Sequence, residues 1–285
     1  TCGAANLALI SGHFTLRYVA LEVTGLCIAL YPLVVLGRQH GSEVSRYVFI
    51  ILRLGDAGFL TAILLLLQYT GTLDIETSLE ISTSLAPSIQ LWIIGTLLLA
   101  VWVKVGLWPF HRWNSSGSLL PAVPNAWLYQ AVMPTLGLYL AYRVQPLLTA
   151  ISPVSTAITW ASLLATVFTI LTTLRHMNGP HFVTDFQAIQ NGLALFLAAN
   201  GQLHIIPLML YLAGLRTVLY VVNYNKHHRI QATATALAGL AMLGFWGYAV
   251  VQIANTLRLP RLLGVIFVSI FGVLLAAYFL YKRLI

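Results

Sequence analysis

The chain has 285 residues, of which 59% are hydrophobic and only 8% charged, and its mean hydropathy is +0.86. Soluble domains carry about 25% charged residues, so the composition excludes a soluble globular fold and points to a polytopic membrane protein. The net charge of +8 does not mark a nucleic-acid binder, because the basic residues stand singly between apolar runs and form no stripe with interleaved aromatics. Cys2 and Cys27 are too few and too far apart to frame disulfides or a metal site. The first residue is Thr1, with no charged segment and cleavage site after it, so either a targeting segment has been removed or the sequence starts late.

A helix needs roughly 20 apolar residues to cross a hydrocarbon core of about 30 Å. Runs of that kind occur at Phe14–Leu36, Tyr47–Gln68, Ile89–Pro109, Ala122–Tyr142, Thr156–Leu174, Phe182–Ala199, Ile205–Val222, Ala232–Ala254 and Leu262–Leu280, predicting nine spans in a single domain over 1–285. No run alternates in the manner of a barrel strand, so the expected fold class is an all-α membrane bundle. The loops after odd spans and the C-terminal tail carry Arg38, Arg46, Arg112, Arg175, Lys226, Arg229, Lys282 and Arg283. Those after even spans carry Arg143, Arg258 and Arg261 beside Asp74, Glu76 and Glu80. By the positive-inside rule the odd loops face cytoplasm or matrix, and the N-terminus lies opposite. The acidic, amphipathic segment Asp74–Ser84 predicts a short surface helix. Pro121, Pro124 and Pro134 interrupt the fourth span, freeing carbonyls that neighbours or water must satisfy. Pro207 falls in the first turn of the seventh, where it is tolerated.

Charges inside spans are costly and mark function or pairing. Lys104 closes an uncharged run from Leu91 to Val103, and Glu22 lies in the first span with no basic residue one turn away. Each needs a partner from another helix, and each is the other's expected partner. A buried carboxylate–ammonium pair has coupled proton affinities, which suits a proton relay; a static structural ion pair is the alternative. Arg53 and Asp56 sit three residues apart on one helix face and are expected to neutralise each other locally. Arg216 lies midway along the seventh span without an acidic neighbour in sequence, and Asp185 is near the start of the sixth. His111 follows Lys104 by seven residues, so a helix running past Pro109 would put both on one face; there it passes protons or is merely a polar loop residue.

Several stretches resemble the antiporter-like membrane subunits of respiratory complex I. These are Ala20-Leu21-Glu22 through Leu30-Tyr31-Pro32, Ser42-Glu43-Val44-Ser45-Arg46-Tyr47, and, most specifically, Lys104-Val105-Gly106-Leu107-Trp108-Pro109-Phe110-His111-Arg112-Trp113. Near the C-terminus Gly244-Phe245-Trp246-Gly247-Tyr248 and the Tyr-rich 276–285 add to it. The set is most similar to NADH dehydrogenase subunit 2 (the bacterial subunit N type), whereas Arg53–Gly58 resembles the Arg-x-Gly-Asp-x-Gly-Phe signature of subunit 5. The resemblance implies a Glu22–Lys104 pair on a proton path. It also implies two further lysines, and at those places this chain has Ala131 and Tyr248. Neither can carry a positive charge near neutral pH, so the first half-channel looks equipped and the second does not.

What the resemblance implies is a membrane-arm subunit of a proton-translocating NADH:ubiquinone oxidoreductase, packed beside other antiporter-like and accessory subunits in the bilayer. It would bind no redox cofactor itself, with FMN, iron–sulfur clusters and ubiquinone elsewhere in the complex, and it would hold phospholipid such as cardiolipin. A degenerate, purely structural subunit and a free-standing cation/proton antiporter are the other readings. The expected location is the mitochondrial inner membrane, with a bacterial plasma membrane as the alternative.

Overall fold

The computed structural model describes residues 1–116, 120–121, 124–174, 182–199 and 214. A short α1, Cys2–Ile10, precedes the long α2, Phe14–Thr70, which is not one rod: Gly37 (φ 74°, ψ 173°) breaks it into two arms, 14–36 and 38–70. Only glycine adopts that backbone cheaply. The arms fold back on each other as an antiparallel hairpin whose register can be read from its contacts. The Ser45 hydroxyl donates to the Ala29 carbonyl at 2.6 Å, and Phe59 packs its ring against Tyr18 and Phe14. Backbone bonds from Phe14 N–H to Leu73 O and from Ile75 N–H to Gly12 O, both 2.9 Å, close the open end.

Between the hairpin and the next span lies α3, Ile75–Ser82, capped by Asp74, whose carboxylate accepts from the Thr77 N–H and hydroxyl. Those bonds hold the Asp74 carboxyl below its ordinary value. The expected surface helix is therefore present, burying Ile75 and Leu79 and exposing Glu76 and Glu80. Next, α4 covers Pro87–Val105 and stops at Gly106 (φ 73°) in a left-handed cap. A four-residue α5, Arg112–Ser115, leads to a π-helical segment, Asn125–Val132, that runs into α6, Met133–Arg143. The short α7, Gln145–Ala150, then α8, Ser152–Leu174, and α9, Phe182–Ala199, complete the described chain.

Among the described residues three helices are long and apolar enough to cross a membrane: Phe14–Thr70, Pro87–Val105 and a stretch of α8, Ser152–Thr172. The spans expected at Ile205–Val222, Ala232–Ala254 and Leu262–Leu280 lie, apart from Gly214, outside the described residues, as do Arg216 and Tyr248. The interrupted fourth span takes the form of the π segment joined to α6, with Pro134 at their junction.

Close approach of backbones sets the helix positions. At Gly58 a Cβ would stand 2.9 Å from the Thr96 carbonyl, and at Gly55 it would stand 3.0 Å from Val103, so α4 lies directly on the second arm of α2. At Gly137 a Cβ would come within 2.8 Å of the Val105 nitrogen, which seats α6 against the end of α4. Gly95, by contrast, faces outward with nothing within 4 Å. Gly137→Ala is expected to lower stability by about 1–3 kcal/mol through overpacking, while Gly95→Ala, free of contacts in a helix interior, raises it by about 0.5–1 kcal/mol. Thermal unfolding of the two variants in detergent checks this.

Candidate functional site

The hairpin register puts Arg53, on the second arm of α2, opposite Glu22, on the first. Their side chains form an ion pair between Arg53 Nη1 and Glu22 Oε1. Asp56, one turn further along, points from the same arm toward α4. There its Oδ1 accepts from Lys104 Nζ, a side chain with no exposed surface. Arg53 Nη2 stands 3.0 Å from Asp56 Oδ2, close enough for an ion pair though without a hydrogen bond's alignment. The four groups make one alternating series, Glu22–Arg53–Asp56–Lys104, across both arms of α2 and the end of α4.

The expected direct Glu22–Lys104 pair is therefore replaced. The second arm lies between the two residues, and its Arg53 and Asp56 intercede. Those two do approach each other at the expected spacing, but each also holds a charge on another element. Gly25 faces them: a Cβ there would stand 3.9 Å from Arg53 Nη2 and Asp56 Oδ2 and 3.5 Å from Met133 of α6, ordinary contact distances. Arg53 also lies 5.3 Å over the Phe49 ring. Lys104 occupies the last turn of α4, where the helix dipole favours a cation.

His111 does not share a helix face with Lys104. The left-handed cap at Gly106 ends α4 first, and His111 begins the turn into α5 instead. Burial, with the adjacent Arg112 adding to it, pushes His111 from its ordinary 6.5 down to about 4, so the imidazole is neutral at pH 7. Its Nδ1 has no hydrogen-bond partner among the described residues.

A set of neutral carboxamides, which the sequence did not single out, surrounds the end of α4. Asn191 Nδ2 donates to the Val105 carbonyl at 3.0 Å, and Asn114 Nδ2 to Gln187 Oε1 at 3.3 Å. Gln187 Nε2 donates to the Gln130 carbonyl at 2.5 Å. In an α-helical pattern that carbonyl would look to residue 134, and Pro134 has no N–H to give. Gln187, Gln190 and Asn191 share one face of α9, at i, i+3 and i+4, and are buried. Ala131, where the resemblance called for lysine, is half-buried in the π segment beside Gln130.

Removing one member of a buried ion pair strands the other, at about 3–5 kcal/mol. Lys104→Met should therefore destabilise the chain by that order, and Asp56→Asn introduced with it should restore most of the loss. Unfolding of the two single variants and the double variant measures the coupling.

Residues 11–277 match the family described as NADH:quinone oxidoreductase/Mrp antiporter, TM. NADH-quinone oxidoreductase subunit L of Campylobacter jejuni is 28% identical over 147 residues, 52% of this chain and 25% of that protein. NADH-ubiquinone oxidoreductase chain 5 of Hypocrea jecorina is 29% identical over 170 residues, 58% of this chain and 24% of that one. The chain thus aligns with about a quarter of the length of these relatives. In fold it is similar to a chain of the membrane-bound sulfane sulfur reductase, an archaeal respiratory membrane complex. The TM-score is 0.77 at 19% identity, covering 98% of this chain and 63% of that one. With residues 11–277 of 285 matched, the chain belongs to the NADH:quinone oxidoreductase/Mrp antiporter transmembrane family.

Proposed function

We propose that the chain is an antiporter-like subunit of a proton-translocating respiratory membrane complex, and that the Glu22–Arg53–Asp56–Lys104 series is its proton relay. The observation that carries this reading is the fully buried Lys104 held by a carboxylate that is itself tied, through Arg53, to a second carboxylate on another arm. Glu22, Asp56 and Lys104 exchange protons, whereas Arg53 stays charged and transmits the change electrostatically. Protonation of Glu22 releases Arg53 to move fully onto Asp56, where it competes with Lys104. A buried ammonium deprived of its counter-ion sheds its proton. The charge state of one end thus sets proton release at the other.

Both relatives reported above are of the L or chain 5 type, and the Arg53–Gly58 stretch that resembles subunit 5 supplies two of the four charges. We therefore assign the chain to the subunit 5 type in preference to subunit 2, and place it beside other membrane subunits of the same complex. Its lysine-poor sequence favours the mitochondrial inner membrane; the bacterial source of one relative makes a plasma membrane the alternative.

A second reading has its own support. Among the described residues the groups gathered at the end of α4 next to Lys104 are neutral carboxamides, which supports a subunit that keeps the ion series for structure alone. Asp56→Asn in the assembled complex separates the two. Loss of a positioned proton carrier slows transfer by about 100-fold or more. The relay reading therefore expects a lower proton-to-electron ratio with normal assembly on a native gel. An unchanged ratio in whatever complex assembles, with assembly itself reduced, favours the structural reading.

A further inference from the structure

The ends of the described spans that meet at one membrane face enclose a groove unrelated to the ion series. Phe14 and Thr70 of α2 and Pro87 of α4 mark that face, α3 lies across it, and α6 ends there at Arg143. The groove, about 590 Å³, runs between α3 and the α6–α7 junction and has apolar walls from Ile75, Leu79, Tyr142 and Pro146. Its charged lining is mixed. Glu76 and Glu80 stand one turn apart on α3, and Arg143 comes from α6.

These charges are poorly satisfied by one another. Arg143 Nη2 reaches Glu76 Oε1 only at 3.5 Å, the Glu76 side chain is 83% exposed, and Arg143 Nε has no hydrogen-bond partner among the described residues. Two carboxylates at i and i+4 repel each other, and a cation between them relieves that repulsion. An anion on Arg143 would use its remaining donors. The three lining groups sum to −1, and the buried Arg17 behind them acts on Arg143 and brings the local sum to zero, so a headgroup carrying both charges suits the site better than a wholly anionic one. A headgroup with an ammonium at one end and a phosphate at the other fits, with its glycerol against the apolar walls and Tyr142 at the interface level.

We propose that this groove is a binding site for an aminophospholipid of the phosphatidylethanolamine class. The primary ammonium lies between Glu76 and Glu80 and the phosphate lies on Arg143. Three N–H donors on the ammonium distinguish it from a quaternary choline headgroup, which has none. The two carboxylates of α3, which would repel a second phosphate, distinguish it from cardiolipin, the lipid that the family resemblance suggests.

The full chain in its native complex is reconstituted in nanodiscs of phosphatidylethanolamine, phosphatidylcholine and cardiolipin, and retained lipid is read by native mass spectrometry after detergent extraction. The parent is expected to retain phosphatidylethanolamine over phosphatidylcholine by about tenfold, the size of one hydrogen bond to a charged group. Glu76→Gln with Glu80→Gln should abolish that preference, and Arg143→Gln should lower retention of both zwitterionic lipids. Glu76 and Glu80 are exposed, so their removal leaves the unfolding temperature unchanged and the comparison interpretable. Retention of the same lipids by parent and double variant, or enrichment of cardiolipin in the parent, overturns the proposal.

Discussion

The site depends on the register of the α2 hairpin. Four side chains of alternating charge are costly in an apolar bundle unless each has its opposite within reach, and only one alignment of the two arms supplies that. The reversal at Gly37, the Ser45–Ala29 hydrogen bond and the Phe14–Tyr18–Phe59 cluster fix the alignment at several heights. With it fixed, Arg53 meets Glu22. The helical pitch then turns Asp56 toward α4, where Gly55 and Gly58 have already brought the backbones together. A slip of one residue would rotate Arg53 away from Glu22 and leave both charges without a partner.

The prolines extend the same logic to the backbone. Pro32 in the first arm has no N–H for the Ile28 carbonyl four residues before it, and the Tyr129 hydroxyl donates to that oxygen at 2.9 Å. Pro134 stands in the same relation to the Gln130 carbonyl, which Gln187 takes up. Each break in a helix is thus mended by a polar side chain from another element, as a low-dielectric surrounding requires. The π segment carries Tyr129 as donor and Gln130 as acceptor, so it ties the hairpin to α9. The breaks serve as joints between helices, and the charged series is held within them.

Much of this was legible from residues alone. The deficit of charge announced a membrane bundle, the acidic segment after Thr70 gave the surface helix, and all four members of the ion series were recognised as costly intramembrane charges. Their pairing was not legible, because it depends on which arm lies between Glu22 and Lys104, a matter of packing that spacing along the chain does not encode. The stop of α4 could have been read: Lys104 in a last turn followed by Gly106 is a helix C-terminal signal, and it separates His111 from the lysine. The carboxamides were missed because a neutral amide in an apolar run announces no cost as a charge does. The spacing of Gln187, Gln190 and Asn191 on one helical face was the available clue.

The central claim is that Glu22 and Lys104 respond to each other without touching, through Arg53 and Asp56. An infrared titration of the Glu22 carboxyl band, assigned with Glu22→Gln, tests it in the parent, in Lys104→Gln, in Asp56→Asn and in the double variant. The account predicts that Lys104→Gln shifts the titration of Glu22, and that in the Asp56→Asn background removing the lysine shifts it no further. A Glu22 titration indifferent to Lys104 would contradict it.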